Sequence, residues 1–185
     1  MAEPSFPRPA PAPLVTNPSD TAAAGSAPRQ FFAGAIGMAE IGVGRDDGQL
    51  RTFVGSCVGV AIYNRRRKLA GMAHVMLPES KGRKTQPGKF ADTAIPELLR
   101  QLGALCRGEP VRWSAKLAGG AKMFAFQSGM TIGDQNVAAI EQLLGQLDIP
   151  ILAKCCGGEQ GRRIALDVAT GTMTVETMGA EPQRF

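Results

Sequence analysis

The sequence predicts an α+β protein: mostly antiparallel strands with at least two helices packed on a sheet. Three observations predict it. Short β-rich runs recur between Gly, Asn and Asp punctuation, as in hairpins. Two longer segments repeat apolar residues at i, i+3/i+4 spacing, as in helices with one buried stripe. The chain has 185 residues, 44% hydrophobic and 20% charged, enough for one domain with a real core.

Residues 1–30 stand apart. Pro4, Pro7, Pro9, Pro11, Pro13, Pro18 and Pro28 are spread through an Ala-rich stretch that cannot bury enough apolar surface to offset its chain entropy. They are expected to form a disordered tail before a single domain over residues 31–185. Gly34 to Val43 alternates loosely and reads as a strand. Asp46-Asp47-Gly48 is a turn signal. Gln49 to Val54 then leads into the most informative stretch, an apolar run from Val54 to Tyr63, the polar segment Asn64-Arg65-Arg66-Arg67, and a second run from Lys68 to Pro78. This is a hairpin pattern.

Glu79 to Lys89 is polar, basic and glycine-bearing, so it is a loop. Ala91 to Arg107 is a helix, capped by Asp92 or Thr93, with Pro96 in its first turn. Ile95, Leu98, Leu99, Leu102 and Leu105 form its buried stripe, and Gly108 and Pro110 end it. Val111 to Ala118 is a strand that runs into Gly119-Gly120. Asp134 to Leu147 is the second helix, with Val137, Ile140, Leu143, Leu144 and Leu147 inward. Ile149 to Ala153 is a short buried strand. Arg162 to Val168 and Thr172 to Val175 close the chain as a hairpin.

Composition excludes several classes. No apolar run approaches the ~20 residues of a membrane span, and the N-terminus lacks an apolar signal core. Cys57, Cys106, Cys155 and Cys156 form no CxxC pair, which argues against zinc and against a disulfide framework. Reduced thiols in the cytoplasm are expected. The formal charge of +5 is diffuse, and one Trp and one Tyr offer little base stacking, so no nucleic-acid partner is expected.

The hairpin carries the chemistry. With residues 64–67 as the loop, Tyr63 faces Lys68, and the same register sets Cys57 opposite His74 on one face. A thiol beside an imidazole is the minimum unit of cysteine nucleophilic catalysis, because the ring can take the thiol proton and later protonate a leaving amine. His74 is the single histidine of the chain. A one-residue slip would send the pair to opposite faces. Gly55 and Ser56 suit a tight backbone whose N–H groups meet an oxyanion. Gly71 leaves room over the hairpin for a substrate chain. Thr52 would orient His74, meet substrate, or serve as an ordinary β-branched strand residue. Gly119 and Gly120 read as a wall near the site, and no Walker or Rossmann pattern surrounds them.

Four blocks of this sequence resemble the chemoreceptor glutamine deamidase family, CheD: Gly55-Ser56-Cys57-Val58, the run from Gly71 to Pro78, the run from Pro87 to Ala94, and the run from Ala118 to Phe124. With the C-terminal hairpin, the resemblance covers residues 33–178. It implies hydrolysis of a glutamine side-chain amide to glutamate and ammonia, with Cys57 as nucleophile and His74 as base. It also implies a catalytic threonine shortly before the cysteine, for which Thr52 is the nearest match. The implied fold is the α/β sandwich of deamidating toxins. The implied substrates are methyl-accepting chemoreceptors, and some members bind a chemotaxis phosphatase. No metal or organic cofactor is needed. The competing expectation is a non-catalytic regulator that docks receptor or phosphatase helices.

Overall fold

The computed structural model describes residues 34–106, 109–123 and 129–185. The proline-rich tail, Phe31, Arg107, Gly108 and Phe124 lie outside the described residues. Nine strands run β1 (Ile41–Arg45), β2 (Gln49–Val54), β3 (Val58–Asn64), β4 (Leu69–Val75), β5 (Ser114–Gly119), β6 (Ile151–Cys156), β7 (Arg162–Asp167), β8 (Met173–Thr177) and β9 (Gln183–Arg184). Helix α1 (Ala91–Leu105) lies between β4 and β5, and α2 (Ile132–Gln146) between β5 and β6.

The strands form two sheets, β1-β4-β3-β5-β6 and β2-β7-β8-β9. Every pairing is antiparallel except β5 with β6, whose α2 crossover makes them parallel. The larger sheet is covered on both faces. Val58, Val60, Ile62, Ala73 and Val75 pack against Ile95, Leu98 and Leu102 of α1 and Ile140 and Leu144 of α2. Ala61, Tyr63, Ala70 and Met72 face Ile164, Leu166, Met173 and Val175 of the smaller sheet. Two-sided burial is why β3 and β4 read as continuous apolar runs rather than clean alternations. The sandwich of mostly antiparallel strands and two helices is the expected fold class.

Several local expectations are corrected. Residues 38 and 39 form a turn, with Ala39 at φ 62°, so the first strand begins only at Ile41. The hairpin loop is Arg65–Lys68, not 64–67. Asn64 stays in the ladder opposite Leu69, while its side chain accepts from Arg67 N at 2.9 Å, and Lys68 takes the left-handed position at φ 47°. Neither Asp92 nor Thr93 caps α1, whose N-cap is Phe90. Asp92 instead holds Ser80, accepting from its N–H and hydroxyl, and Thr93 Oγ1 donates to Pro87 O at 2.7 Å. Pro96 sits beyond the first turn, inside the helix. Residues 111–113 are irregular, and β5 starts at Ser114. Helix α2 starts earlier than expected, capped by Thr131 with Asp134 in a reciprocal capping box. Strand β6 is half-exposed because it is a sheet edge, with Leu152 open to solvent.

Candidate active site

The site is assembled where the two sheets meet at the end of β3 and β4. After β2 the chain bends through Gly55, Ser56 and Cys57 before entering β3, crossing from the smaller sheet to the larger. In β2, Thr52 points inward and is fully buried, whereas Phe53 points out. Thr52 therefore aims into the inter-sheet layer, towards β4.

The expected register is corrected. Gly59, not Cys57, faces His74, and Val58 faces Val75. The loop has the expected four residues but starts one later, which moves the ladder along by an even step, so parity survives. His74 shares the inter-sheet side with Met72, and Cys57 packs against that same layer. Continued past its last pair, the register sets position 57 diagonal to His74, and Cys57 itself lies in the bend before β3. Diagonal neighbours in such ladders lie roughly 7–8 Å apart, against roughly 4.5–5.5 Å for direct partners. No hydrogen bond joins the thiol to the imidazole.

Thr52 and His74 do meet: Thr52 Oγ1 lies 2.9 Å from His74 Nδ1. Thr52 also donates to Ile36 O at 2.8 Å. A hydroxyl has one proton, and a carbonyl can only accept. With that proton on Ile36, His74 Nδ1–H must be the donor to Thr52. The neutral ring then carries its lone pair on Nε2, the nitrogen free to act as base. His74 is 4% exposed, and burial lowers its pKa below the ordinary 6.5, opposed by the Ile36 carbonyl and by Glu40. Burial raises the Cys57 pKa, and its own backbone N–H partly offsets this. Both shifts favour a neutral thiol and a neutral imidazole over an ion pair.

The backbone around Cys57 is pinned. Gly120 N donates to Cys57 O at 2.8 Å and Ala121 N to Gly55 O at 2.8 Å. Gly119 has φ +122°, and a Cβ there would lie 2.3 Å from Cys57 O. The glycine pair therefore acts as a close wall against the cysteine turn, with the Gly120 N–H already committed. Among the described residues no acceptor other than the Cys57 sulfur takes the Ser56 or Cys57 N–H. Gly71 has a different job from the expected one: a Cβ there would meet Leu98 at 2.5 Å, so it admits α1 against the sheet and gives no room to substrate.

Sequence reasoning missed two residues. Gly59 faces His74, and a Cβ on it would press Ile164 at 2.6 Å and touch the Thr52 methyl at 3.5 Å. The glycine gives the smaller sheet room to bring Thr52 down onto the imidazole. Asn136 of α2 is fully buried and donates to both Ser56 O and Met76 O. A polar residue in a helical apolar pattern was the available signal for it. The other cysteines lack this setting: burial pushes the Cys156 thiol up to about 12. No metal-binding cluster occurs among the described residues. No helix among them is long and apolar enough to cross a membrane.

The sequence matches the profile of a family described as CheD chemotactic sensory transduction over residues 76–177, beginning two residues after His74. It is 40% identical over 153 residues to the probable chemoreceptor glutamine deamidase CheD of Clostridium botulinum strain Alaska E43, covering 78% of this chain and 92% of that protein. The probable chemoreceptor glutamine deamidase CheD of Desulforamulus reducens is 39% identical, with 78% and 90% covered. That of Methanococcus vannielii is 38% identical, with 76% and 92% covered. Identity at this level, across most of both chains, shows that the chain belongs to the CheD family.

Proposed function

We propose that this protein deamidates glutamine side chains of chemoreceptors through a Cys57 thioester, with His74 as general acid and base and Thr52 orienting it. The observation that carries the reading is the Ile36–Thr52–His74 relay, which leaves Nε2 as the open lone pair. Family membership and the relatives' description as probable chemoreceptor glutamine deamidases support the substrate class.

Cys57 Sγ gives its proton to His74 Nε2 and attacks the carboxamide carbon. The diagonal spacing closes by rotation of the thiol when substrate enters, as catalytic contacts in empty sites often tighten only with substrate bound. The oxyanion meets the N–H groups of Ser56 and Cys57. His74 Nε2–H then protonates the departing nitrogen, the C–N bond breaks, and ammonia leaves a thioester on Cys57. Water attacks this thioester while His74 takes its proton. The tetrahedral adduct collapses to glutamate, and the sulfur recovers its proton from His74.

The test is incubation with a chemoreceptor cytoplasmic fragment. Released ammonia and conversion of glutamine to glutamate by peptide mass spectrometry are the expected result. Cys57→Ala and His74→Ala should each abolish both signals. Wild-type activity in either variant would overturn the assignment. Alkylation of Cys57 separates catalysis from pure docking, because a non-catalytic regulator would keep its effect.

A further inference from the structure

We infer that Asn136 is a positioning residue for the Cys57/His74 pair, an inference that rests on the proposed deamidase chemistry but is testable apart from it. One amide nitrogen spends both of its hydrogens on two strands. Nδ2 donates to Ser56 O at 3.1 Å and to Met76 O at 2.9 Å. Ser56 immediately precedes the nucleophile, and Met76 follows His74 by two. The β3–β4 ladder ends at Val58 opposite Val75. Asn136 takes over one step beyond, where the cysteine turn and the end of β4 would otherwise be free to part.

The consequence follows from peptide planarity. The C=O of Ser56 and the N–H of Cys57 belong to one trans peptide and point in opposite directions. Drawing the carbonyl to Asn136 aims the N–H away from the helix. That N–H is the group that turns back on the Cys57 sulfur and lowers its pKa. The next peptide is pinned independently, by Gly120 N on Cys57 O at 2.8 Å. With both flanking peptides held, the Cys57 N–H has one orientation. Asn136 is 0% exposed, so it touches no substrate. Its Oδ1 is buried with no partner among the described residues. An acceptor left unsatisfied in the interior costs stability. A leucine would remove that acceptor but leave the Ser56 and Met76 carbonyls without this donor. What the asparagine supplies is the pair of donors.

The test uses the full chain with Asn136→Leu and Asn136→Ser. In folded Asn136→Leu, kcat for receptor glutamine should fall about 10- to 100-fold, the scale of a small misplacement of reacting groups, with KM changed by less than about twofold. The pH profile of Cys57 alkylation by iodoacetamide should move to higher pH, since the N–H no longer faces the sulfur. Asn136→Ser should recover part of both. A residue with only a structural role would lower the melting temperature while kcat and the alkylation profile stayed at wild-type values, and that result overturns the inference. Should neither variant fold, the wild type decides. Alkylation of Cys57 should shift the Asn136 side-chain amide resonances, and unmoved resonances would reject the role. If the wild type releases no ammonia, the deamidase reading fails, while the alkylation profile still judges Asn136.

Discussion

Two buried polar groups occupy the inter-sheet layer, and they are built differently. Lys116, on β5, is 6% exposed. Its Nζ donates to Gly171 O at 2.6 Å and Phe185 O at 2.8 Å, and lies 4.7 Å from the centre of the Tyr63 ring. An ammonium has three donors: two meet carbonyls, and the charge lies over the Tyr63 ring. His74 is as deeply buried, yet among the described residues only its Nδ1 is engaged, and the backbone donors at Ser56 and Cys57 meet no acceptor there but the thiol. A saturated buried group ties layers together. An unsaturated one, beside a thiol at the end of a sheet, keeps valences for something that arrives.

Substitutions can break this contrast. The largest effect is expected at His74→Ala, where loss of general acid–base catalysis removes roughly 10²–10⁴-fold in turnover, measured by ammonia release. Thr52→Val keeps shape but leaves Nδ1–H without its acceptor. Turnover should drop roughly 10- to 100-fold, the kinetic equivalent of ~1–3 kcal/mol for an unsatisfied donor, and Thr52→Ser should restore most of it. Lys116→Met should act in the opposite sense. The Gly171 carbonyl loses its lysine donor and the Phe185 carbonyl keeps only Met173 N–H, so denaturant unfolding should show a loss of roughly 1–3 kcal/mol, with turnover of the folded enzyme unchanged.

A pH series sharpens the same comparison with a smaller effect. The His74 pKa is lowered by burial, so the base form persists below pH 6.5 and the acid limb of kcat/KM should fall on the acid side of that value. The same depressed pKa means that the unfolded chain binds the proton more readily. The histidine's contribution to stability is therefore complete above the unfolded pKa and is lost as pH falls through the folded one. An acid limb above pH 6.5 would contradict the burial argument. Gly59→Ala should have the mildest outcome. The new methyl meets the movable end of Ile164, so stability should fall by about 1–3 kcal/mol, the range for overpacking, and turnover should fall only as far as Thr52 is displaced.

Much of the site was legible because its parts are local. Cys57 lies just before β3 and His74 on its hairpin partner β4, and the period of two sets both positions on one side even though the loop starts one residue later than expected. Asn64 carried the ambiguity. It is a good turn former, but its side chain caps the turn while its backbone remains in the ladder. Gly71 shows the opposite case. A glycine in a strand announces a close approach without naming the partner, and the partner is Leu98 of α1 rather than a ligand. The caps of α1 were misread for a similar reason, since Asp92 is claimed by Ser80, twelve positions earlier.

The chain's own order of residues determined the α+β class, both helical stripes and the shared side of thiol and imidazole. These depend on period and on neighbours along one hairpin, and backbone geometry enforces them wherever the segment sits. Tertiary structure alone decided which residues complete the site. Thr52 comes from the other sheet, and Asn136 reaches Ser56 across 80 positions of sequence. Such contacts are set by how layers stack, which no local period encodes.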